Sequence, residues 1–275
     1  MAVETTTEFA VNLTCNKCVG ATENILKATP GVSHFKVDLD KQSVVVTSTR
    51  ATNDLKSVIE STGKRAVVLG TGLGKLRANG NGSLGAAVAM MGGLIGAGKV
   101  EGVIRFLQVD TENCVIDGTI DGLNAYGEHA LAIHECGDIS GGCSSVGEHF
   151  NPRNMRHGSP QGKERHVGDL GNIVADELGR AEFKFSDNLL KVSDIIGRSI
   201  VVAEGKDDFG EGGHPLSPIN GNCGNVLSCG IIARSAGLFQ NSKRICACDG
   251  VTLWDERDKP LVGPERAANT TNSNL

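Results

Sequence analysis

Between residues 134 and 169 the chain carries five side chains able to bind a divalent ion, His134, His149, His157, His166 and Asp169, in sequence too rich in glycine and proline for helix. Neutral imidazoles with one carboxylate suit a borderline metal, and His149, His157, His166 and Asp169 together supply the four ligands of a closed tetrahedral zinc site. A site with no open position holds loops together and does no chemistry. A chain organised around such a loop needs a rigid scaffold on either side of it.

The scaffold's class follows from composition. Gly 37 with aromatic residues at 4% in 275 residues fits a turn-rich β protein with room for two or three units. A net charge of −5 gives no basic stripe for gripping a phosphate backbone, so nucleic acid is excluded as an expected partner. No run approaches the roughly 18 apolar residues of a membrane span, and the N-terminus lacks the basic and apolar regions of a leader, which predicts a soluble, cytoplasmic protein without stable membrane insertion. Nine cysteines, an odd number, point to metal or redox chemistry in a reducing compartment.

Residues 1–70 read as one α+β unit. Residues 6–13 alternate as a strand, residues 18–28 have helical periodicity, and Pro30 and Gly31 end the helix. "VSHFKVDL" and "SVVVTS" read as strands, "NDLKSVIEST" as a second helix and "RAVVLG" as a last strand. The order βαββαβ is that of a ferredoxin-like unit, two helices on one face of a four-stranded sheet. Cys15 and Cys18 fall in the first strand-to-helix loop, where helix N-terminal amides favour thiolate. Two soft thiolates without further ligands suit Cu(I), with a thioredoxin-type redox pair as the rival. "LTCNKC" lacks that rival's Trp and Pro, and the unit resembles the heavy-metal-associated domain of copper chaperones and copper ATPases. Residues 71–84, "TGLGKLRANGNGSL", are glycine-rich with few large apolar side chains and are expected to form a linker.

Residues 85–235 open with short apolar runs punctuated by glycine, as Greek-key sheets do. Here "HECGD", "GEHFNP", "RHGSP", "RHVGDLGN", "IIGRSIVV" and "CGIIA" resemble the copper/zinc superoxide dismutases in order and spacing. The resemblance implies an eight-stranded Greek-key barrel, zinc on His149, His157, His166 and Asp169, a disulfide between Cys143 and Cys229, and Asp207 as a carboxylate behind the zinc ligands. His129 matches a histidine with structural hydrogen bonds. The departures are chemical. Two copper-ligand positions read Ala132 and Ala203, and the position of the arginine that attracts superoxide reads Val226. Only His134 and the zinc-sharing His149 remain, too few to hold and cycle Cu(II), so the barrel is expected to be catalytically empty. Cys114 reads as a buried core thiol, and Cys223 as either a spare thiol or a site of disulfide exchange.

Residues 236–275 have little periodicity and are expected to form a mostly irregular tail. Cys246 and Cys248, at i and i+2, share a face in extended chain and suit Cu(I) chelation or a strained, readily transferred disulfide. The three parts in this order resemble the copper chaperones that serve superoxide dismutase. That resemblance implies a chain without dismutase activity that docks on immature copper/zinc dismutase as a heterodimer, delivers Cu(I) and promotes the partner's disulfide by thiol–disulfide transfer. A self-dimer is a second expected partner, and a dismutase with an added metal domain is the alternative. The docking face would involve Gly137, Gly230, Ile231 and Arg234, with Cys136 where an aromatic residue is usual. The terminal Ser273-Asn274-Leu275 faintly resembles a peroxisomal tripeptide, with Asn replacing the usual basic residue.

Overall fold

The computed structural model describes residues 3–73, 84–92 and 100–241. In the first unit β1 (Thr5–Val11), β2 (Val32–Asp38), β3 (Ser43–Ser48) and β4 (Ala66–Gly72) make an antiparallel sheet in the order β2-β3-β1-β4. Helices α1 (Asn16–Ala28) and α2 (Thr52–Glu60) follow β1 and β3. Alternation puts Phe9, Val11, Val44 and Val46 on the helix side of the sheet, where they pack with Leu26, Leu55 and Ile59. Pro30 and Gly31 (φ +86°) turn the chain after α1, as the sequence predicts.

Two boundaries differ from expectation. Helix α1 begins at Asn16, so Cys18 lies in its first turn and only Cys15, the N-cap residue, stands outside it. Strand β4 continues to Gly72, two residues into the stretch expected to be linker. Those residues pair with Thr7 and Thr6 of β1. The rest of the expected linker, residues 74–83, lies outside the described residues.

The second unit is a nearly closed antiparallel barrel of β5 (Ala86–Met91), β6 (Glu101–Gln108), β7 (Cys114–Asp121), β8 (Glu128–His134), β9 (Asp169–Val174), β10 (Ala181–Asp187), β11 (Ser199–Ala203) and β12 (Val226–Arg234). The strand order is β10-β7-β6-β5-β12-β11-β8-β9, and β9 approaches β10 without a ladder between them. Short helices α3 (Val192–Ile195) and α4 (Ser217–Asn220) and a 3-10 turn at Gly142–Ser145 sit in the connections. Inward-facing Ile104, Phe106, Ile116, Ile120, Leu131, Ile133, Ile200 and Val202 fill the core. Cys114 is buried there, as expected.

The outer surface of β6, β7 and β10 is partly covered by the first unit. Leu107 and Val115 pack with Val3 of the first unit. Asp117 accepts hydrogen bonds from the Thr52 amide (3.0 Å) and hydroxyl (2.5 Å), and Lys184 Nζ donates to Thr5 Oγ1 (2.7 Å), Ser48 O (3.0 Å) and Arg50 O (3.1 Å). Burial pushes the Arg105 and Lys184 cations down from their ordinary values while neighbouring Asp117 pulls both back up. The root of the tail is irregular, as expected, but it is tied to the first unit: Gly237 bridges Thr71 in parallel and the Phe239 amide donates to Glu8 Oε2 at 2.8 Å. Residues 242–275, including Cys246, Cys248 and the terminal tripeptide, lie outside the described residues. No helix among the described residues is long and apolar enough to cross a membrane.

Phe106 is wholly buried in the barrel core. Phe106→Ala is expected to lower unfolding stability by about 3–5 kcal/mol, since it removes a large apolar side chain and leaves a cavity. Urea denaturation followed by far-UV circular dichroism checks this.

Candidate metal centre and thiol pair

The long connection from β8 to β9 carries three of the four sequence-predicted zinc ligands and β9 opens on the fourth, Asp169. Backbone bonds hold that connection against the barrel rim: the Phe150 amide donates to Ile133 O, Gly168 N to Phe150 O and Ile133 N to Gly168 O. The result brings His149, His157, His166 and Asp169 into one buried cluster, with a ligand atom of each within 4.8 Å of the others. All three Nδ1 atoms face the same carboxylate oxygen: Asp169 Oδ1 lies 2.8 Å from His149, 3.1 Å from His157 and 3.2 Å from His166.

Electrostatics and hydrogen bonding both mark this cluster as a cation site. His157 Nδ1 and His166 Nδ1 are buried and face Asp169 Oδ1, but make no well-aligned hydrogen bond to it or to any other described residue. Buried nitrogens left unpaired cost free energy unless something else engages them. Burial pushes the Asp169 carboxyl up, but the hydrogen bond from His149 and the facing imidazoles of His157 and His166 outweigh it and hold the group well below the usual carboxylate range. Burial likewise disfavours protonated His157, yet the Asp169 carboxylate facing its Nδ1 and the Asp207 carboxylate bonded to its Nε2 raise it to about 9. A buried anion ringed by three imidazoles is the donor set of a closed zinc site, and the residues fit that ion.

The supporting contacts fix each donor. Asp207 Oδ1 lies 2.7 Å from His157 Nε2, behind the ligand as the dismutase resemblance implies. Asp169 Oδ2 accepts from the amides of His166 (2.8 Å) and Gly158 (3.2 Å), which orients the carboxylate. Sequence reasoning missed two further parts. Buried Arg165 donates to Asp169 O and His166 O and pairs with Asp187 of β10, locking the ligand loop to the barrel. Gly221 (φ +67°) lies where a Cβ would come within 1.9 Å of Asp207 Oδ1 and 2.8 Å of His157 Nε2. Arg165 sits beside a ligand in "RHVGD", a signal of sorts, whereas Asp187 and Gly221 are distant in sequence and carry none.

His134 stands beside this cluster, its ring centroid 5.0 Å from that of His149. Its Nδ1 donates to Gly147 O at 2.7 Å, leaving Nε2 as the acceptor. Burial first, and the neighbouring His149, lower it to about 4, against the Gly147 bond. On the adjoining strands Ala132, Ala203 and Val226 offer no donor atoms; Ala132 pairs with Val201 and Ala203 with Val226. His129 Nδ1 donates to Ala203 O at 3.0 Å, a structural bond. Cys223 is buried against Ala130 and Ala203, and burial first, with Asp207 beside it, raises its thiol above the ordinary value, which suits a spare core thiol better than an exchange site.

Cys143 and Cys229 form the disulfide that the resemblance implies, joining the 3-10 turn to β12 across 86 residues of sequence. In the chain-entropy view such a closure contributes roughly 4–5 kcal/mol. Of the four positions expected to form a docking face, Ile231 and Arg234 are exposed, as is Cys136, but Gly230 is buried. A Cβ at Gly230 would approach Met90 O to 2.3 Å, and one at Gly137 would approach Gly197 O to 2.1 Å. Both glycines are therefore required by packing within the barrel.

At the far end of the first unit, Cys15 Sγ and Cys18 Sγ are 3.3 Å apart, Cys15 exposed and Cys18 half-buried. The Thr14 hydroxyl lies 3.4 Å from Cys18 Sγ. Hydrogen bonding by Thr14, then by Cys15, lowers the Cys18 thiol from 9.0 to about 6. The pair thus presents a thiolate at neutral pH, the form that binds soft metal ions.

Comparison with known proteins agrees with this division. The copper/zinc superoxide dismutase family matches residues 100–232, and the heavy-metal-associated domain family matches residues 8–65. The chain is 51% identical over 261 residues to the human protein named copper chaperone for superoxide dismutase, covering 95% of this chain and 92% of that one. It is 35% identical over 253 residues to the chloroplastic copper chaperone for superoxide dismutase of rice, covering 92% of this chain and 71% of that one. Against a copper/zinc superoxide dismutase of Xenopus laevis it is 49% identical over 142 residues, 50% of this chain and 93% of the enzyme.

A depressed thiol pKa makes thiolate available above the folded-state value and lost below it. Alkylation of Cys18 by iodoacetamide is expected to rise with a midpoint near pH 6. In Thr14→Val the midpoint should move up towards the ordinary 9.0. An unmoved midpoint in that variant would show that Thr14 is not the cause.

Proposed function

Because the chain belongs to the family of copper chaperones for superoxide dismutase, we propose that it carries Cu(I) on Cys15 and Cys18, docks through its barrel on an immature copper/zinc dismutase, and matures that partner. The observation that carries the reading is the contrast within one chain: an exposed, thiolate-forming pair at one end, and a dismutase-like barrel whose copper positions are Ala132 and Ala203. Copper here is cargo, and the barrel is a docking body. Ile231, Arg234 and Cys136 supply its exposed surface, with Gly137 and buried Gly230 shaping the backbone beneath.

Zinc belongs to the barrel as a structural ion on His149, His157, His166 and Asp169, tying the ligand loop to β9. When bound it supplies the positive charge that the unpartnered imidazole nitrogens and the Asp169 carboxylate lack. Asp207 holds His157 in the ligating tautomer by accepting a hydrogen bond from Nε2–H. Cys246 and Cys248 complete the chemistry: as a disulfide they exchange with two thiols of the partner, which leave oxidised while the C-x-C pair leaves reduced. An active dismutase with an added metal domain is the weaker reading, since Ala132, Ala203 and Val226 remove the ligands and the cation that its cycle needs.

Gly221→Ala is expected to lower zinc affinity about 10–100-fold, the usual cost of disturbing a contact behind a metal ligand. Competition with a chromogenic chelator checks this, and unchanged affinity would show that the Asp207–His157 contact does not tune the site.

The functional test uses the full chain loaded with zinc and Cu(I). Cys246→Ser with Cys248→Ser should keep zinc, keep copper on Cys15 and Cys18, and still bind the immature dismutase in a pull-down. In air it should neither oxidise the partner's thiols nor raise its superoxide-consuming activity. Normal activation by this variant would remove the tail from the mechanism. Dismutase turnover by the copper-loaded chain alone would instead favour the enzyme reading.

A further inference from the structure

The contacts between the copper domain and the barrel lie at one end of the domain, and the thiol pair lies at the other. Strand register defines the two ends: Thr5 pairs with Ser48 and Thr6 with Gly72 at the first, while Val11 pairs with Ala66 at the second. The barrel's hydrogen bonds reach Thr5, Ser48, Arg50 and Thr52, all at the first end, and Val3 packs there on Leu107 and Val115. The tail root joins the same end through Thr71. Cys15 and Cys18 follow Val11 at the second end, about 20 Å away along six residues of strand.

These contacts are built, not incidental. Helix α2 has no side-chain cap of its own, because Ala51 occupies its N-cap position. The cap comes from the barrel: Asp117, only 6% exposed, accepts from Thr52, which is 1% exposed. An anionic acceptor at a helix N-terminus satisfies open amides and meets the favourable end of the helix dipole. Lys184 does the converse, spending its three donors on one hydroxyl and two carbonyl oxygens at the end of β3 and beyond it. Both side chains point outward from the barrel, where an isolated barrel would leave them in water.

We propose that this dock is the metal-accepting posture, in which Asp117 and Lys184 are positioning residues that hold the copper domain by its far end with Cys15 and Cys18 turned away from the barrel. Passing the metal to a partner seated on the same barrel then requires the dock to open. The inference rests on the chaperone reading for its second half; the dock itself does not.

The experiment compares the full zinc-loaded chain with Asp117→Ala/Lys184→Met, and with Asp117→Asn, which keeps an acceptor for the Thr52 amide. Small-angle scattering should show a larger radius of gyration for the double variant and an intermediate value for Asp117→Asn. Cu(I) affinity, measured by competition with bicinchoninate, should be unchanged in all three, as should zinc content. Handover of Cu(I) to the immature dismutase should quicken about tenfold in the double variant, the change that follows from removing ~1.4 kcal/mol of docking. An unchanged radius would overturn the dock. Expansion with slower or unchanged handover would overturn the accepting posture and make docking neutral or favourable for transfer. Failure of the unaltered chain to hand over copper would count against the chaperone reading, while the scattering result would still decide whether Asp117 and Lys184 hold the domain.

Discussion

The Asp169 carboxylate is the point on which the long loop of the barrel closes. One of its oxygens faces three imidazole nitrogens, the other takes two backbone amides, and its own carbonyl accepts from Arg165. A carboxylate only 1% exposed is tolerated because each of its acceptors is engaged by a donor or aimed at a cation site. Without it, three imidazoles would crowd together in a low-dielectric space with no anion to favour a bound cation. The β8–β9 connection buries Val146, Phe150 and Val167 against the barrel, and this group and the Cys143–Cys229 bridge fix the rest of its shape.

The same barrel keeps the dismutase-family fold around strand positions that carry no donor atom. Ala132 and Ala203 take part in the β8, β9, β11 and β12 ladders, since backbone pairing does not depend on the side chain carried there. The small side chains leave room that Cys223 and Ala130 share with Ala203. What survives is a rigid body with a stapled loop, and its outer surface has been turned to a different use, holding a second unit through Asp117, Lys184, Leu107 and Val115.

The copper domain works on a different principle. Its thiols are exposed and supported by Thr14 and one another, with no buried ligand shell around them. An exposed two-thiolate site favours exchange over retention, whereas the zinc-type cluster is buried and closed. The two sites thus differ in burial as well as in the fold that carries them.

Much of this was legible in the sequence because it is local or depends on residue type. Periodicity placed both helices and the strands of the first unit, the spacing of His149, His157, His166 and Asp169 named the buried cluster, and C-x-x-C named the thiol pair. That Ala132 and Ala203 stand at copper-ligand positions came from the resemblance to the dismutases, and a methyl group has no lone pair to offer a metal. Tertiary structure decided what depends on long-range pairing. The extension of β4 to Gly72 and the anchoring of the tail root required partners more than 60 residues distant, Thr6 and Thr7 for one and Thr71 and Glu8 for the other. Arg165 with Asp187, Gly221 beneath Asp207, and Asp117 capping a helix it does not belong to carry no periodic or spacing signal, because each is a contact between segments that meet only after folding.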